Sequence, residues 1–483
     1  MQKNMNSAGS KEISPLKLYN KIGYGLGDVA GSLVFTFLSS FFMIYLTDSV
    51  GLDAGISGTL IAVAKIIDAL SSLFFGSVLD RTKHKMGKAR PWMFYGFFGC
   101  AITLVLAFAV PMSWGELSQY IWVFITYVLL NAVFFMMNNV SYTALISLIT
   151  RNQDEIVEMG SLRYICAFTS SILIQTFTIT LVQAFGGGAG GWRGVAVIFA
   201  IFGLLANTIS VFSVKELVDE NPVIALDEGA AVIDVLEVVE PETLSPRQAK
   251  VQARAKTAQE SKADIQAVLK NKYFLLTSAA FFLFDMYNDV INMGLYYMTY
   301  VLGNEGYFSV FSWFINIPLI ISLFLAPRII KRVGSLYKTN VNTFRLMLIG
   351  RVIVMIGGYS GSIALMLLGS AIGGFAYGPW QSDMGAVVTA CANYTKITTG
   401  RSVIGLMHSI TAFTKKIGTS VGMIIASWLL TWGGYDGTAT IQSSSALQAI
   451  SFNYLWLPII IVVIFFLIMK QLKIEEALEQ LRK

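Results

Sequence analysis

Long apolar stretches, broken at intervals by short polar or charged segments, run the whole length of the chain. Phe94 to Val110, for instance, holds no charged residue. About 20 such residues in a helix span the hydrocarbon core of a bilayer. The pattern predicts twelve membrane helices, near 23–47, 57–79, 91–111, 119–149, 161–185, 194–214, 272–302, 307–327, 341–357, 359–381, 400–432 and 451–470. The expected fold class is an all-α membrane protein with twelve transmembrane helices in two six-helix bundles.

Composition agrees with this pattern. Of 483 residues, 55% are hydrophobic and 13% charged, against about 25% charged in soluble domains. This excludes a soluble enzyme, a nucleic-acid-binding domain and a disulfide-stapled secreted domain. The net charge of +6 does not point to nucleic acid, because Lys and Arg gather in alternate loops. Residues 80–90 carry Arg81, Lys83, Lys85, Lys88 and Arg90, and 328–345 carry Arg328, Lys331, Arg332, Lys338 and Arg345. Loops 48–56, 112–118, 303–306 and 433–450 have neither Lys nor Arg, and Arg193 is the exception among the odd-numbered loops. Excess Lys and Arg mark cytoplasmic loops, so both termini are expected in the cytoplasm and the protein in the cell membrane. Polar residues run to Lys21 and the first apolar segment leads into further spans, which is not the pattern of a cleavable signal peptide. Cys100, Cys166 and Cys391 lie in or beside apolar segments without metal spacing, and packing is their expected role.

The chain divides in the middle. The expected parts are a cytoplasmic N-terminus (1–22), a six-helix bundle (23–214), a cytoplasmic linker (215–271), a second bundle (272–470) and a cytoplasmic tail (471–483). From Glu216 to Glu242 there are nine acidic residues and no basic one, after which Arg247, Lys250, Arg254 and Lys256 follow. Pro246 to Lys270 is rich in Ala, Gln and Lys and predicts a surface helix. The linker reads as a solvated tether or as a regulatory, partner-binding segment. Gly76-Ser-Val-Leu-Asp80-Arg81 after span 2 is weakly echoed by Ala326-Pro-Arg-Ile-Ile-Lys331-Arg332-Val-Gly334 after span 8, consistent with duplication. Two such bundles with a site between them near the midplane are the architecture of many secondary transporters.

The stretch Gly76-Ser-Val-Leu-Asp-Arg-Thr-Lys-His-Lys-Met-Gly87-Lys-Ala-Arg90-Pro91-Trp92 resembles the signature loop of the major facilitator superfamily. Its Gly-Lys-x-Arg-Pro-Trp ending is similar to the glycoside–pentoside–hexuronide:cation symporters, typified by melibiose permease. Tyr24-Gly-Leu-Gly-Asp28, Tyr45-Leu-Thr-Asp48-x-x-Gly51, Val63-Ala-Lys-Ile-Ile-Asp68-Ala and Phe413-Thr-Lys-Lys416-Ile-Gly418 add to the resemblance, which covers roughly residues 15–475 apart from the linker. It implies sugar transport with a coupling cation, Na⁺ or H⁺. It also implies that Asp80, Arg81, Lys88 and Arg90 form a gating clasp on the cytoplasmic side.

Charges inside spans are costly and are functional candidates by default. Asp68, in span 2, has Lys65 three residues before it, so the reading is either a neutralised intrahelical pair or a cation site. The family places two acids four apart here, whereas this chain has Asp68 and then Ser72, with Ser71 beside it; a Na⁺ at Asp68 would draw on those hydroxyls. The family's sugar-binding acid of span 1 aligns with Ser32 and its neighbouring lysine with Gly31, leaving Asp28 to take over the role or to bond to the signature loop. In span 4 the family's acid or Asn aligns with Asn139, which reads as a sugar ligand or as interhelical glue. Tyr142 reads as a stacking platform or as packing. Arg163 matches a substrate-contacting arginine, or snorkels to the interface. Lys416 matches a lysine that closes the site from the second half, with Lys415 as its competitor.

Asp285 and Asp289 in span 7 lie at i and i+4, near Asn288 and Asn292, and are not expected from the family pattern. They read as a further cation, proton or cationic-substrate site, or as acids hydrated in an outer vestibule. His84 reads as solvated, and His408 as structural or a proton shuttle. The chain thus reads as a sugar or glycoside importer working by cation symport, with a small-molecule sugar and the bilayer as partners, no nucleic acid, a single chain as the working unit, and no cofactor beyond the coupling cation. A carrier of lipid-like or organic-cation substrates and a non-transporting sensor or scaffold are the alternatives. No nucleophile–base pair, zinc motif or phosphate loop suggests an enzyme.

Overall fold

The computed structural model describes residues 16–150, 152–217, 262–439 and 441–482. Helices carry the architecture and no strand occurs among the described residues. The spans are α1 (Leu18–Ile44), α2 (Ala54–Asp80), α3 (Arg90–Ala107), α4 (Glu116–Val128 continued by Met136–Ile149), α5 (Gln153–Ala184) and α6 (Gly188–Ser213), followed in the second half by α7 (Lys272–Asn292), α8 (Tyr307–Val333), α9 (Leu336–Ser360), α10 (Ile363–Thr399), α11 (Ile404–Trp432) and α12 (Ser444–Ser451 continued by Leu457–Met469). A surface helix α13 (Ile474–Arg482) follows. Eleven of these helical segments are long and apolar enough to cross a membrane. The remaining one, α11, falls short because Lys415 and Lys416 sit at its middle. Of the surface helix expected over Pro246 to Lys270, residues 262–270 are helical and the rest lies outside the described residues.

Several spans differ from the apolar blocks. α5 starts at Gln153, so Arg163 lies inside the helix and not at its end. α9 begins at Leu336 and α10 runs on to Thr399, past Pro379. An internal proline is tolerated in a membrane helix because neighbouring groups satisfy the carbonyl it frees. Both additions carry polar residues that the apolar count leaves out.

The first six spans pack on one another, α1 against α5 and α6, and α3 against α4 and α6; in the second half α10 packs on α8 and α9, and α7 on α11 and α12. Each bundle has its own aromatic core, Phe37, Phe108 and Trp192 in the first and Phe344, Trp380 and Phe465 in the second. The even number of spans leaves Leu16 and Lys470 at the same end of the molecule, called the terminal end below; the opposite end is the far end.

The duplication is visible in detail at the far end. α1 runs into a π-helical turn at Tyr45–Val50, and the α7 segment runs into another at Tyr297–Val301. Six residues after each opening tyrosine stands a glycine with positive φ, Gly51 (84°) and Gly303 (70°), a conformation open to glycine without steric cost. Tyr45-x-Thr47-x-x-x-Gly51 and Tyr297-x-Thr299-x-x-x-Gly303 are therefore the same element in the two halves. α2 and α8, which follow them, have 27 residues each.

The terminal end shows the same relation. Glu216, just after α6, accepts hydrogen bonds from the backbone N–H groups of Lys88 (2.6 Å), Ala89 (2.9 Å) and Arg90 (2.9 Å) at the start of α3. Glu475, after α12, accepts from the N–H groups of Leu336 (2.8 Å) and Tyr337 (3.2 Å) and from the Ser335 hydroxyl at the start of α9. Each carboxylate thus meets unpaired donors at the positive end of a helix dipole.

Candidate functional site

The two bundles meet along α2 with α11 and along α5 with α8. The first seam is tight because small residues face each other. A Cβ added to Gly58 would stand 2.1 Å from the Ser427 hydroxyl oxygen. Nearby, the Thr431 hydroxyl accepts from Gly55 N–H (2.7 Å), and the Trp428 indole donates to Thr59 (3.0 Å). On the second seam Ser312 donates to the Gln175 side chain, Ser309 to the Gln175 and Thr176 carbonyls, and Trp313 to the Thr176 hydroxyl (2.7 Å). Among the described residues, these polar contacts between bundles run from the midplane to the far end. The far side is closed.

At the midplane the seam is charged, and its pairing is crossed. Lys65 of α2 reaches Asp289 of α7 at 2.7 Å, and Lys416 of α11 reaches Asp68 of α2 at 2.9 Å. Lys416 also donates to the Asp68 carbonyl and the Ser72 hydroxyl, both at 3.4 Å. The intrahelical Lys65–Asp68 pair allowed by their spacing is not formed. Nor does Asp289 of span 7 sit hydrated in a vestibule, since it is 4% exposed; Asp285 is half-buried, with its Oδ2 enclosed. The Lys415 ammonium lies over the Phe281 ring. Gly418 and Gly422 allow this proximity, because a Cβ on either would come within 2.3 and 2.7 Å of α7 carbonyl oxygens. Lys416 stands on the carboxylate where a Na⁺ at Asp68 would bind. Ser71 is half-buried beside the pair.

Asp28 lies deeper in the first bundle, toward the terminal end. Its Oδ2 accepts from Arg163 Nε and from the Tyr142 hydroxyl, both at 2.8 Å. Tyr142 and Tyr24 cross-bond, each hydroxyl donating to the other's carbonyl. The Arg163 guanidinium lies 4.4 Å from the centre of the Tyr142 ring, a cation–π contact. Arg163 therefore does not snorkel to the interface. Tyr142 is covered by Arg163 and Tyr24 and orients Asp28; its ring is not open for stacking on a sugar.

Asp28–Arg163 is one rung of a regular ladder between the parallel helices α1 and α5. One turn on, Ser32 donates to the Ala167 carbonyl (3.4 Å), then Thr36 bonds to Ser171 (2.9 Å), then Gln175 donates to Ser40 (3.3 Å). Every rung joins residues 135 apart. Ser32 is thus an interhelical tie. In α4 that tie is Asn138, which bonds to Asn207 (2.9 Å) and the Met93 carbonyl (3.0 Å), while Asn139 is exposed.

Of the clasp expected among Asp80, Arg81, Lys88 and Arg90, the three basic members are described. Arg90 donates from Nε to the Val211 carbonyl (2.7 Å), Arg81 and Lys88 are exposed, and Glu216 fixes the loop through its backbone. The side chain of Asp80 lies outside the described residues. His84 is exposed.

Three buried or half-buried polar groups are given no role by the sequence reading. Asp48, at the far end of α1, accepts from Tyr300 (2.6 Å), Thr47 (2.6 Å) and Tyr435. Arg351 in α9 donates to the Tyr287 hydroxyl (2.6 Å), and Asp383 in α10 accepts from Asn340 (2.9 Å). Any charge at these depths is a signal; Asp383 and Asn340 fall just outside the apolar blocks, in the parts of α10 and α9 that the blocks miss.

Two bundles sealed at one end around a charged midplane have the geometry of an alternating-access carrier. A sequence model described as "MFS/sugar transport protein" matches residues 23–231 and 223–476. The chain belongs to this family. It is a multi-pass membrane transporter and not an enzyme. An uncharacterised symporter of Bacillus subtilis is 26% identical over 94% of this chain and 91% of its own. The isoprimeverose transporter of Lactiplantibacillus pentosus is 25% identical over 91% and 85%. Among solved structures, the inward-open xylose transporter XylE of E. coli superposes with a TM-score of 0.59 at 13% identity, covering 94% of this chain and 95% of its own. The nucleoside transporter NupG does so at 0.61 and 13%, covering 94% and 100%. These structures share the major facilitator fold with this chain.

Proposed function

We propose that the protein imports a sugar or glycoside by symport with Na⁺ or H⁺, as a single chain in the cell membrane with the terminal end in the cytoplasm. The Lys and Arg of the even-numbered loops support this orientation. The relatives named as symporters, glycoside carriers and an isoprimeverose transporter support the substrate class.

The observation that carries the coupling is Lys416 on Asp68. A ligand drives a conformational change only by binding the two states differently. With the far side closed, an ammonium from the second bundle holds Asp68 (2.9 Å); with the bundles apart at that level, Asp68 is left for a cation from outside. Closure thus replaces the bound cation by Lys416 and directs it inward. Asp28, Arg163, Asn139 and Lys416 are the groups offered to the sugar. Asp28 and Arg163 remain 18% and 22% accessible at their side chains, and carboxylate, guanidinium and amide together both donate to and accept from hydroxyls.

Counterflow of radiolabelled glycosides in proteoliposomes, with and without Na⁺ and with and without a pH gradient, tests this reading. The expected result is saturable counterflow of at least one glycoside, with uptake driven by one of the two gradients. A folded, monodisperse protein that moves none of a broad glycoside panel overturns it.

A further inference from the structure

Six charges meet at the midplane seam: Lys65 and Asp68 on α2, Asp285 and Asp289 on α7, Lys415 and Lys416 on α11. Each bundle's share sums to zero, one base and one acid in the first and two of each in the second. The bonds that cross the seam, Lys65–Asp289 (2.7 Å) and Lys416–Asp68 (2.9 Å), must both break when the far side opens. Isolated charges are not left in a low-dielectric interior without partners, so each needs another. Lys65 has one on its own helix, since Asp68 lies three residues on along the same face. In the second bundle Lys415 and Lys416 sit on the helix packed against Asp285 and Asp289. The Oδ2 atoms of both aspartates are buried with no hydrogen-bond partner, which leaves acceptors available for such an exchange.

We propose that Lys65 is the coupling lever of the transporter: it pairs with Asp68 along α2 while the far side is open, and a cation that takes Asp68 frees it to reach Asp289 across the seam and close the far gate. This rests on the symport reading and gives it a cause. Without a cation at Asp68, Lys65 is held on its own helix and the second bundle is not captured. With a cation there, Lys65 moves to Asp289, the seam closes, and Lys416 arrives on Asp68 to displace the cation toward the terminal end. Asp289 is therefore a positioning residue that receives the lever, 224 positions along the chain from it.

Lys65→Gln and Asp289→Asn separate this from a plain interbundle tie. Removing the lever removes the cation's competitor at Asp68, so Lys65→Gln lowers the half-saturating cation concentration in equilibrium cation binding, while its sugar counterflow loses cation dependence. Asp289→Asn leaves Lys65 on Asp68, so the half-saturating cation concentration rises. A purely structural tie moves both variants in the same direction, and that result overturns the proposal, as does parent-like cation dependence in Lys65→Gln. Lys65→Arg, which keeps the charge, retains cation dependence.

A second readout needs no transport. Spin labels at the exposed positions Leu117 and Ile441 (73% and 87% exposed), at the far ends of the two bundles, report far-side closure. Cation and sugar together shorten this distance in the parent and leave it unchanged in Asp289→Asn. Shortening in that variant overturns the lever. If the parent itself shows no cation dependence, the symport reading fails and the proposal with it; if the parent is coupled and the variants behave alike, the proposal alone fails.

Discussion

Asp48 and Tyr300 occupy the same position in the two halves, each three residues into the π-helical turn that ends its span, and they meet at 2.6 Å. One half supplies a carboxylate and the other a phenol, so the duplicated element bonds to its own copy across the far gate. Tyr435 donates to the same carboxylate. A hydrogen bond to a charged group contributes about 1.5–3 kcal/mol. Tyr300→Phe is therefore expected to shift the balance toward the far-open state by roughly ten- to hundred-fold, with Asp48→Asn shifting it further. Labelling of a far-seam cysteine by an impermeant maleimide measures this shift, and unchanged labelling would mean that the seam closes without the pair.

Gly58 lies against Ser427 on the other side of the gate, with no room for a methyl group. Gly58→Ala forces α2 and α11 apart where they must touch only in the far-closed state. Overpacking costs about 1–3 kcal/mol, and here it falls on one state of the cycle. The expected outcome is a folded protein with near-parental melting temperature, slow transport and increased far-side labelling. Ser427→Gly in the same chain restores space and should recover most of the rate.

The twelve spans were legible because burial in lipid demands uninterrupted apolar helices, and only helix ends resist that reading. Where α10 continues past Pro379, and where α9 starts early, polar residues interrupt the apolar run, so Asp383 and Asn340 fall outside it. Partner choice was not legible. Local spacing offers Lys65 the carboxylate of Asp68, and the structure gives it Asp289, a choice made by the docking of two bundles. Alignment with the family drew attention to Ser32, and the stacking power of an aromatic ring to Tyr142, and the polar atoms of both are already bonded within the bundle. The Tyr-x-Thr-x-x-x-Gly repeat is present in the sequence, but three matching residues gain meaning only when both copies are seen in the same turn.

Asp28 and Arg163 form a charged pair that, unlike the two pairs across the seam, stays within a single bundle. Removing either partner leaves a charge with no counter-ion, which for a fully buried pair costs about 3–5 kcal/mol. The residual accessibility of both side chains lowers this to on the order of 2 kcal/mol. Asp28→Asn and Arg163→Gln are each expected to lower the melting temperature and weaken sugar binding. The double variant should regain part of the melting temperature and none of the binding, because neutrality is restored while the groups offered to the sugar are gone. Thermal melting and equilibrium binding of the four proteins form the cycle; strictly additive losses in melting would show that the two charges do not act as a pair.

Glu216 is the group that holds the signature loop, through three backbone donors at the start of α3. Glu216→Gln keeps the shape and removes the charge, which at a helix N-terminus is worth about 0.3–1 kcal/mol and up to ~2 kcal/mol in a partly buried setting. Glu475→Gln should lose a similar amount, since it caps α9 in the same way. Gly87→Ala is expected to be worse than either, because its φ of 111° disfavours a side chain and the new methyl would stand 2.3 Å from the Glu216 carboxyl carbon. The caps lie at the terminal end, away from the midplane charges. Melting temperature should therefore fall in all three variants while the affinity for sugar stays at the parental value; a changed affinity at unchanged melting temperature would instead make the cap part of the transport cycle.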